Sequence, residues 1–234
     1  MRLFYQPHIG SGADYLDLEE SRHCVKVLRL KQGDPIRIID GSGWLYSGQL
    51  TRVDARKCFF SVVEKHFEEP KDYHIHVAIA PTKNLDRLEW FVEKSVEIGI
   101  DRISPILCRQ SERRTLKTDR LKRKAVSAMK QSLKFRMPEI SELLPFERIL
   151  SDTGNVEKFI AHVDDLPRPH LINAAKRGGQ YLVLIGPEGD FSREEIDTAM
   201  SQGFEPVSLG DSRLRTETAG IAACHILNLI NCSG

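Results

Sequence analysis

Two segments in the last third of the chain contain the residue types that a small-molecule site needs. The first, residues 186–191, reads Gly-Pro-Glu-Gly-Asp-Phe, and the second, residues 209–218, carries a glycine, two arginines and a glutamate. Glycine lets the backbone approach a ligand closely, and proline stiffens a turn. We therefore expect the two segments to close around one small molecule. A plainer interpretation remains open, in which the first segment is only a tight turn and Arg215 and Glu217 form only a surface ion pair.

The elements around these segments place both at one edge of a sheet. A short apolar strand is predicted over residues 181–185, directly before the first segment, and another over 206–209, at the start of the second. The helix predicted between them, over 192–202, begins with the Ser192 and Glu195 spacing of a capping box. In an open α/β sheet, ligands bind beyond the carboxyl ends of the strands. The elements therefore favour a binding site at this edge.

The chain also carries a dense basic segment over residues 109–136. It holds eleven lysines and arginines against only Glu112 and Asp119, a local charge of +9 in a chain whose net charge is +1. We predict that it forms a helix that ends before Pro138. Such a block suits a polyanion such as RNA. It is equally typical of a solvated helix face, and the sequence alone does not decide between the two.

The pattern of elements predicts two domains. Residues 1–70 are β-rich, with short, partly alternating strands separated by glycine and aspartate, which is typical of a small barrel. A polar stretch with a proline at position 70 marks the predicted boundary. Over residues 71–234, strands and helices alternate, with a strand at 74–80 and a helix at 84–98. This alternation predicts an α/β domain, a mainly parallel sheet with helices on both faces.

Several functional classes are disfavoured by what the sequence lacks. It contains no Walker A loop and no GxGxxG, GxSxG or HExxH motif. Its five cysteines are odd in number and widely spaced, so we expect neither a zinc site nor a disulfide framework. No apolar run approaches the roughly 18 residues that span a bilayer, and residues 1–10 carry no apolar signal region. We expect a cytoplasmic protein with neither a metal nor a membrane partner.

The two glycine-bearing segments resemble the paired C-terminal signatures of SPOUT-class methyltransferases, and more narrowly those of the ribosomal RNA small subunit methyltransferase E family. The resemblance extends over nearly the whole chain, in the same order. Further matching residues are Arg2, Leu3, Phe4, Tyr5, His23, Val27, Leu28, Arg29, Gly33, Asp34, Lys83, Glu89, Lys94, Glu97, Gly99, Gln131, Ser132, Leu133, Lys134 and Pro138. The sequence departs from the family pattern at Asp190, where a third glycine is usual, and at Lys134, where arginine is common.

The resemblance implies an enzyme that uses S-adenosylmethionine (SAM) to methylate N3 of a uridine in 16S ribosomal RNA of the small ribosomal subunit. It implies a PUA-like RNA-binding β-barrel over residues 1–70 and a SPOUT domain over 71–234, whose C-terminal chain threads as a trefoil knot that holds the cofactor. It also implies a homodimer. The sulfonium of SAM already makes its methyl group electrophilic, so we expect no metal. N3 lies on the pairing edge of the base, so the uridine must be unpaired when it reacts.

Site residues follow from the same resemblance. Arg215 is the candidate for orienting the uridine, whose carbonyl oxygens gain charge as N3 loses its proton. Glu217 is the candidate base or orienter, or simply a carboxylate in the first turn of a helix. The expected cofactor residues are Ile185, Gly186, Pro187, Glu188, Gly189, Leu209, Gly210, Leu214, Arg215, Thr216 and Thr218. The expected RNA-binding residues are His23, Arg29, Lys83, Arg109, Arg113, Arg114, Lys117 and Lys134.

Two other functions are compatible with these features. The chain could be a non-catalytic RNA-binding protein with a degenerate second domain, which would not bind SAM. It could also be a SPOUT methyltransferase that acts on tRNA or on 23S ribosomal RNA. The intact pair of glycine-bearing segments favours an enzyme, and only the resemblance favours the small subunit.

Overall fold

A computed structural model describes residues 3–151, 154, 156–163 and 166–232. Arg2, named above, lies outside the described residues. The chain divides into two compact units. The first holds the described residues up to Pro70 together with Met129–Met137, and the second holds Lys71–Ala128 and the chain from Pro138 onward. No helix of the described residues is both long enough and apolar enough to cross a membrane.

The first unit contains a four-stranded sheet and one short helix. Its elements are β1 (Leu3–Tyr5), α1 (Leu18–Arg22), β2 (Pro35–Ile39), β3 (Trp44–Arg52) and β4 (Phe59–Phe67). The strands lie in the order β1-β2-β3-β4, with β1 parallel to β2 and the other pairs antiparallel. Side chains that alternate along these strands, including Phe4, Ile38, Leu50 and Phe60, bury one face in an apolar core.

A wide π-helical turn, His23–Val27, follows α1 directly. Just after it, Arg29 has a φ of +53°, a left-handed backbone conformation that non-glycine residues rarely adopt. Single π-helical turns within helices are frequent at functional sites. Residues 18–27 are therefore helical throughout, with the helix widening from His23 onward.

The second unit alternates strands and helices. Its elements are β5 (His74–Ile79), α2 (Leu85–Ile98), β6 (Arg102–Leu107), α3 (Asp119–Ser132), β7 (Glu139–Ile140), β8 (Leu144–Pro145), α4 (Phe146–Leu150), β9 (Glu157–Ala161), α5 (Leu171–Ala174), β10 (Gln180–Ile185), α6 (Arg193–Ser201), β11 (Glu205–Val207) and α7 (Thr216–Asn231). The last four residues of α3 belong to the first unit.

The sheet of the second unit is parallel throughout and is covered on both faces. Its order is β11-β9-β10-β5-β6-β7, with β8 also paired to β6. Leu182 and Leu184 face a core that includes residues of α4 and α6. On the other face α7 packs against α2 so closely that a Cβ on Gly220 would lie 2.6 Å from the Phe91 ring. The predicted layering is confirmed.

Most predicted elements form, and the basic segment is the main exception. The helix expected over 192–202 is present with its capping box, since Ser192 and Glu195 bond each other's backbone. The prediction that the whole basic segment is helical is wrong, because α3 begins only at Asp119. Before it, the Ser111 hydroxyl accepts a bond from the Cys108 backbone, and the Thr118 hydroxyl bonds the Glu142 carboxylate. These bonds hold residues 109–118 in an irregular path.

Candidate functional site

A cavity of about 830 Å³ opens at the carboxyl ends of β9, β10 and β11. Its walls come from the segments that follow these three neighbouring strands, with Arg87 from α2 and Ala219 from α7 completing the lining. The volume lies within the ~300–1,000 Å³ range of small-molecule sites. The structure therefore brings residues 186–191 and 209–218 together around one space, at the edge where the sheet topology predicts a ligand.

Nine of the eleven expected cofactor residues line this cavity: Ile185, Gly186, Pro187, Glu188, Leu209, Gly210, Leu214, Arg215 and Thr216. The other two do not. Gly189 lies against Gln110, where a Cβ would come within 2.6 Å of the amide oxygen at the end of that exposed side chain. Thr218 is half-buried in the first turn of α7.

The first segment, residues 186–191, is a turn held by its own backbone and by its neighbours. Asp190 donates its N–H to the Pro187 carbonyl at 2.9 Å. The buried Thr216 hydroxyl donates to the Gly186 carbonyl at 3.0 Å, which ties the two glycine-bearing segments to each other. One carboxylate oxygen of Glu188 accepts the Lys83 N–H at 3.0 Å, and the other is buried with no hydrogen-bond partner among the described residues.

The second segment, residues 209–218, depends on one glycine. Gly210 has a φ of +131°, a backbone conformation that an L side chain would strain, and a Cβ there would have no neighbour within 4 Å. The Ser208 hydroxyl bonds both the N–H and the carbonyl of Gly210. Arg215 follows in an extended conformation as the N-cap of α7, and its side chain lies at the cavity. Glycine here permits a turn that lines the cavity with backbone.

The third wall was not predicted from the sequence. It consists of residues 161–163, which begin with the last residue of β9, and residues 166–168. Because β9 lies between β10 and β11, its carboxyl end had to reach the same edge. The apolar residues of β9 mark the strand in the sequence, but the segment after it has no glycine to draw attention to it.

Glu217 is buried beside an arginine that the sequence pattern did not single out. Its side chain is only 7% exposed, and Oε1 lies 3.7 Å from Nε of Arg87, which lines the cavity. The second oxygen, Oε2, is buried without a hydrogen-bond partner among the described residues. The interpretation of Arg215 and Glu217 as a surface ion pair therefore fails, since the partner of Glu217 is Arg87. Glu217 does lie in the first turn of α7.

Seven of the eleven cations in the basic segment are already bonded within the chain. Arg109 pairs with Glu194, Arg120 with Asp86 and Glu89, Lys122 with Glu142, Lys124 with Glu93, and Lys130 with Glu20, while Arg113 and Arg136 bond backbone carbonyls. Within the part of the chain that the structure describes, the side chains of Arg114, Lys117, Arg123 and Lys134 have no such partner. These four, hereafter the unpaired cations, are fewer than the local charge of +9 suggests.

The remaining RNA candidates differ in exposure. Lys83 pairs with Glu112 at 2.9 Å, and this hydrogen bond raises the pKa of its ammonium group. In the first unit, Arg29 is exposed in the strained turn after the π-helical segment. His23 is half-buried edge-on to the Phe4 ring, and burial, followed by the charge of Lys130, lowers its pKa. Arg29 is therefore the better candidate of the two for contact with a phosphate.

Comparison with known proteins identifies both units. A family model described as an RNA methyltransferase domain matches residues 68–228, and one described as an RNA methyltransferase PUA domain matches residues 16–63. The ribosomal RNA small subunit methyltransferase E of Aquifex aeolicus is 29% identical over 97% of this chain and 99% of its own length. That of Bacillus subtilis is 27% identical over 88% of this chain and 85% of its own.

Solved structures agree over the full length. A Porphyromonas gingivalis protein described as a probable rRNA-methyltransferase is 42% identical, with a TM-score of 0.93 over 99% of this chain and 98% of its own. A Legionella pneumophila protein solved with SAM as its bound cofactor is 25% identical, with a TM-score of 0.89 over the same shares. With a parallel α/β unit, a PUA-type first unit and matches of this extent, the chain belongs to the ribosomal RNA small subunit methyltransferase E family.

Proposed function

We propose that this protein transfers a methyl group from SAM to N3 of a uridine in 16S ribosomal RNA. The observation that carries the proposal is the cavity at the ends of β9, β10 and β11, which nine of the eleven expected cofactor residues line in a chain of this family. The names of the relatives support the small-subunit substrate, and the family resemblance supports N3 of uridine.

The cavity suits a ligand of the size and polarity of SAM. Its lining combines apolar side chains, such as Leu209 and Leu214, with backbone polar groups around Gly186 and Gly210. The unpartnered oxygen of Glu188 adds a buried acceptor that a ligand hydroxyl or amine would satisfy. When bound, SAM supplies a methyl group that its sulfonium makes electrophilic. The chain's contribution is to hold and orient the two reactants.

Two of the four arginines that line the cavity, Arg87 and Arg215, suit the developing charge on the base. Removal of the N3 proton leaves negative charge on the uridine carbonyl oxygens, which guanidinium groups stabilise. Arg215 reaches the cavity from the start of α7, and Arg87 reaches it from α2. Because Glu217 is buried against Arg87, its favoured role is to orient that side chain rather than to touch the base.

The unpaired cations and the PUA-like first unit contact the RNA phosphates in this proposal. Arg29 is the best candidate for such a contact in the first unit. The unpaired cations Arg114, Lys117 and Arg123 are exposed, which leaves them available to a polyanion. Their partner in this proposal is the ribosomal RNA of the small subunit, in the cytoplasm where ribosomes are assembled. The domain limits at residues 70 and 71 are part of the same proposal.

The knot and the homodimer are also proposed, on separate observations. Strand β11 lies at the sheet edge beyond β9, yet α7, which follows it, packs on α2, β5 and β10. The chain must cross back to do this, as a trefoil knot requires. Leu229 on α7 and Ile172 on α5 are exposed apolar side chains on two helices that contact each other, which suits a second copy of the chain.

The proposal is tested on small ribosomal subunits purified from a strain that lacks the modification. Incubation with the protein and SAM should produce one new reverse-transcription stop in 16S RNA, because N3 methylation blocks base pairing. Mass spectrometry of the stopped fragment should show one added methyl group on a uridine. Large subunits and tRNA serve as controls, and methylation of either instead of 16S RNA would refute the substrate assignment. If no RNA were methylated, the proposal that this protein is an RNA methyltransferase would be refuted.

A further inference from the structure

Asp190 occupies the position where the family pattern usually has a third glycine. The backbone conformation at residue 190 explains why glycine suits this position. Its φ is +65°, in the left-handed region, as the last residue of the turn that starts at Pro187. Aspartate and asparagine are the non-glycine residues that tolerate this conformation best. The aspartate therefore keeps the shape of the turn while adding a carboxylate that glycine lacks.

That carboxylate bonds the backbone on two sides. Oδ1 accepts the N–H of Phe191 at 2.8 Å, and Oδ2 accepts the N–H of Val163 at 2.9 Å. Val163 belongs to the third wall of the cavity, whereas Phe191 ends the first glycine-bearing segment. Bonds from backbone N–H groups to an ionised acceptor are stronger than neutral ones. One side chain thus joins two walls of the same cavity.

The two hydrogen bonds of Asp190, hereafter the bridge, link the chain after β9 to the chain after β10 at a point where the two strands no longer pair. Strands β9 and β10 pair up to Ala161 and Ile185, and the bridge lies beyond that last pair. The carboxylate also fills the space beside Gly186, where a Cβ would lie 3.2 Å from Oδ1. The side chain of Val163 is largely exposed, so apolar packing does little to hold its backbone in place.

We propose that Asp190 is a positioning residue that fixes the third wall of the SAM cavity before the cofactor binds. The proposal rests on the function proposed above. A wall already held in its bound position loses less freedom on binding, so the bridge should strengthen SAM affinity. In this proposal Asp190 acts on the cofactor site through the backbone N–H groups of Val163 and Phe191, and a direct contact with SAM is not required.

The test measures the bridge and its consequence separately. Hydrogen exchange of the Val163 amide in the cofactor-free protein reports the bridge, and calorimetric titration with SAM reports the consequence. Asp190→Gly should speed exchange at Val163 and weaken SAM binding, each on the order of tenfold. Glycine relieves the left-handed backbone, so this variant should stay folded. Asp190→Asn retains one acceptor oxygen and should recover part of both losses.

Asp197→Asn is the matched control, since it removes one carboxylate from an exposed ion pair on α6 and should change neither readout. Unchanged exchange or unchanged SAM affinity in Asp190→Gly would each overturn the inference. An Asn variant no better than the Gly variant in both readouts would overturn it too. If the wild-type protein did not bind SAM at all, the proposed function would fail, and the exchange data would still show whether the bridge exists.

Discussion

The proposed SAM cavity and the basic segment are comparable signals in the sequence, but the two predictions have different outcomes in the structure. The cavity is lined by both glycine-bearing segments, as the order of strands implies. The basic segment is partly irregular, and seven of its eleven cations are bonded inside the chain. The carboxyl ends of the strands in a parallel sheet all lie at one edge, so recognising each strand from its local sequence is enough to place its end there. The availability of a charge depends on partners that are distant in sequence.

The largest expected effect is at Arg215. If it stabilises charge on the reacting base, Arg215→Ala should lower the rate of methyl transfer by about 10²–10³-fold. SAM affinity measured by titration should fall far less. Arg193→Ala, which removes an exposed arginine from α6, is the control and should leave the rate unchanged. Equal losses in rate and in SAM affinity would indicate that Arg215 contacts the cofactor rather than the base.

A pair of glycines tests whether backbone shape makes the cavity. Gly210 and Gly203 both have positive φ and open space where a Cβ would lie, but only Gly210 lines the cavity. Each substitution by alanine should cost about 1–3 kcal/mol of strain. In Gly210→Ala that strain should appear as weaker SAM binding, and in Gly203→Ala only as a lower unfolding temperature. Equal SAM affinity in the two variants would contradict the role of Gly210.

The sheet that carries the cavity should respond to pH. His76 in β5 is buried and bonded to Ser104 at 2.8 Å, and burial, followed by the charge of Arg102, lowers its pKa to about 3. The unfolded chain takes up a proton at this residue below its ordinary pKa of 6.5, and the folded chain does not. Stability is therefore lost as the pH falls from 6.5 toward 3, by about 1.4 kcal/mol per unit.

The measurement is the free energy of unfolding in urea at pH 6.5 and pH 5.5. His76→Asn keeps a polar side chain that does not titrate there, so its loss between the two pH values should be smaller than that of the wild-type protein by about 1 kcal/mol. Parallel losses in the two proteins would show that another group controls the acid response.

The smallest effects are expected in the basic segment, where they should separate unpaired from paired cations. Replacing Lys117 and Arg123 with alanine should lower the slope of log affinity for RNA against log salt by about 2. Replacing Lys122 and Lys124, which are paired with Glu142 and Glu93, should change the slope less. Filter binding over a salt series gives both slopes. Equal changes would mean that the internal ion pairs open when RNA binds.

Much of the second unit could be predicted because its signals are local. The capping box at Ser192, the apolar strand before Gly186 and the apolar stripe of α7 each specify one element within a few residues. The order of these elements then implies the cavity edge. Residues 186–191 and 209–218 could be placed at that edge because strand ends and glycines are visible in a single sequence. The family resemblance then supplied the individual cofactor residues, nine of which line the cavity.

The rest depends on contacts that no local pattern shows. Arg87 and Glu217 meet only because α2 packs against α7, and Asp190 reaches Val163 only because β9 and β10 are neighbours. The irregular path of residues 109–118 likewise follows from side-chain bonds, among them the one from Thr118 to Glu142. Spacing along the chain could suggest these residues as candidates, but it could not assign their partners.

The most direct test of the SAM site is a calorimetric titration of the purified protein with SAM, repeated with Gly210→Ala. We predict saturable binding at one site per chain, weakened by the alanine, because residues 186–191 and 209–218 form walls of the site. Absence of binding at millimolar SAM, or identical binding by the two proteins, would contradict this assignment.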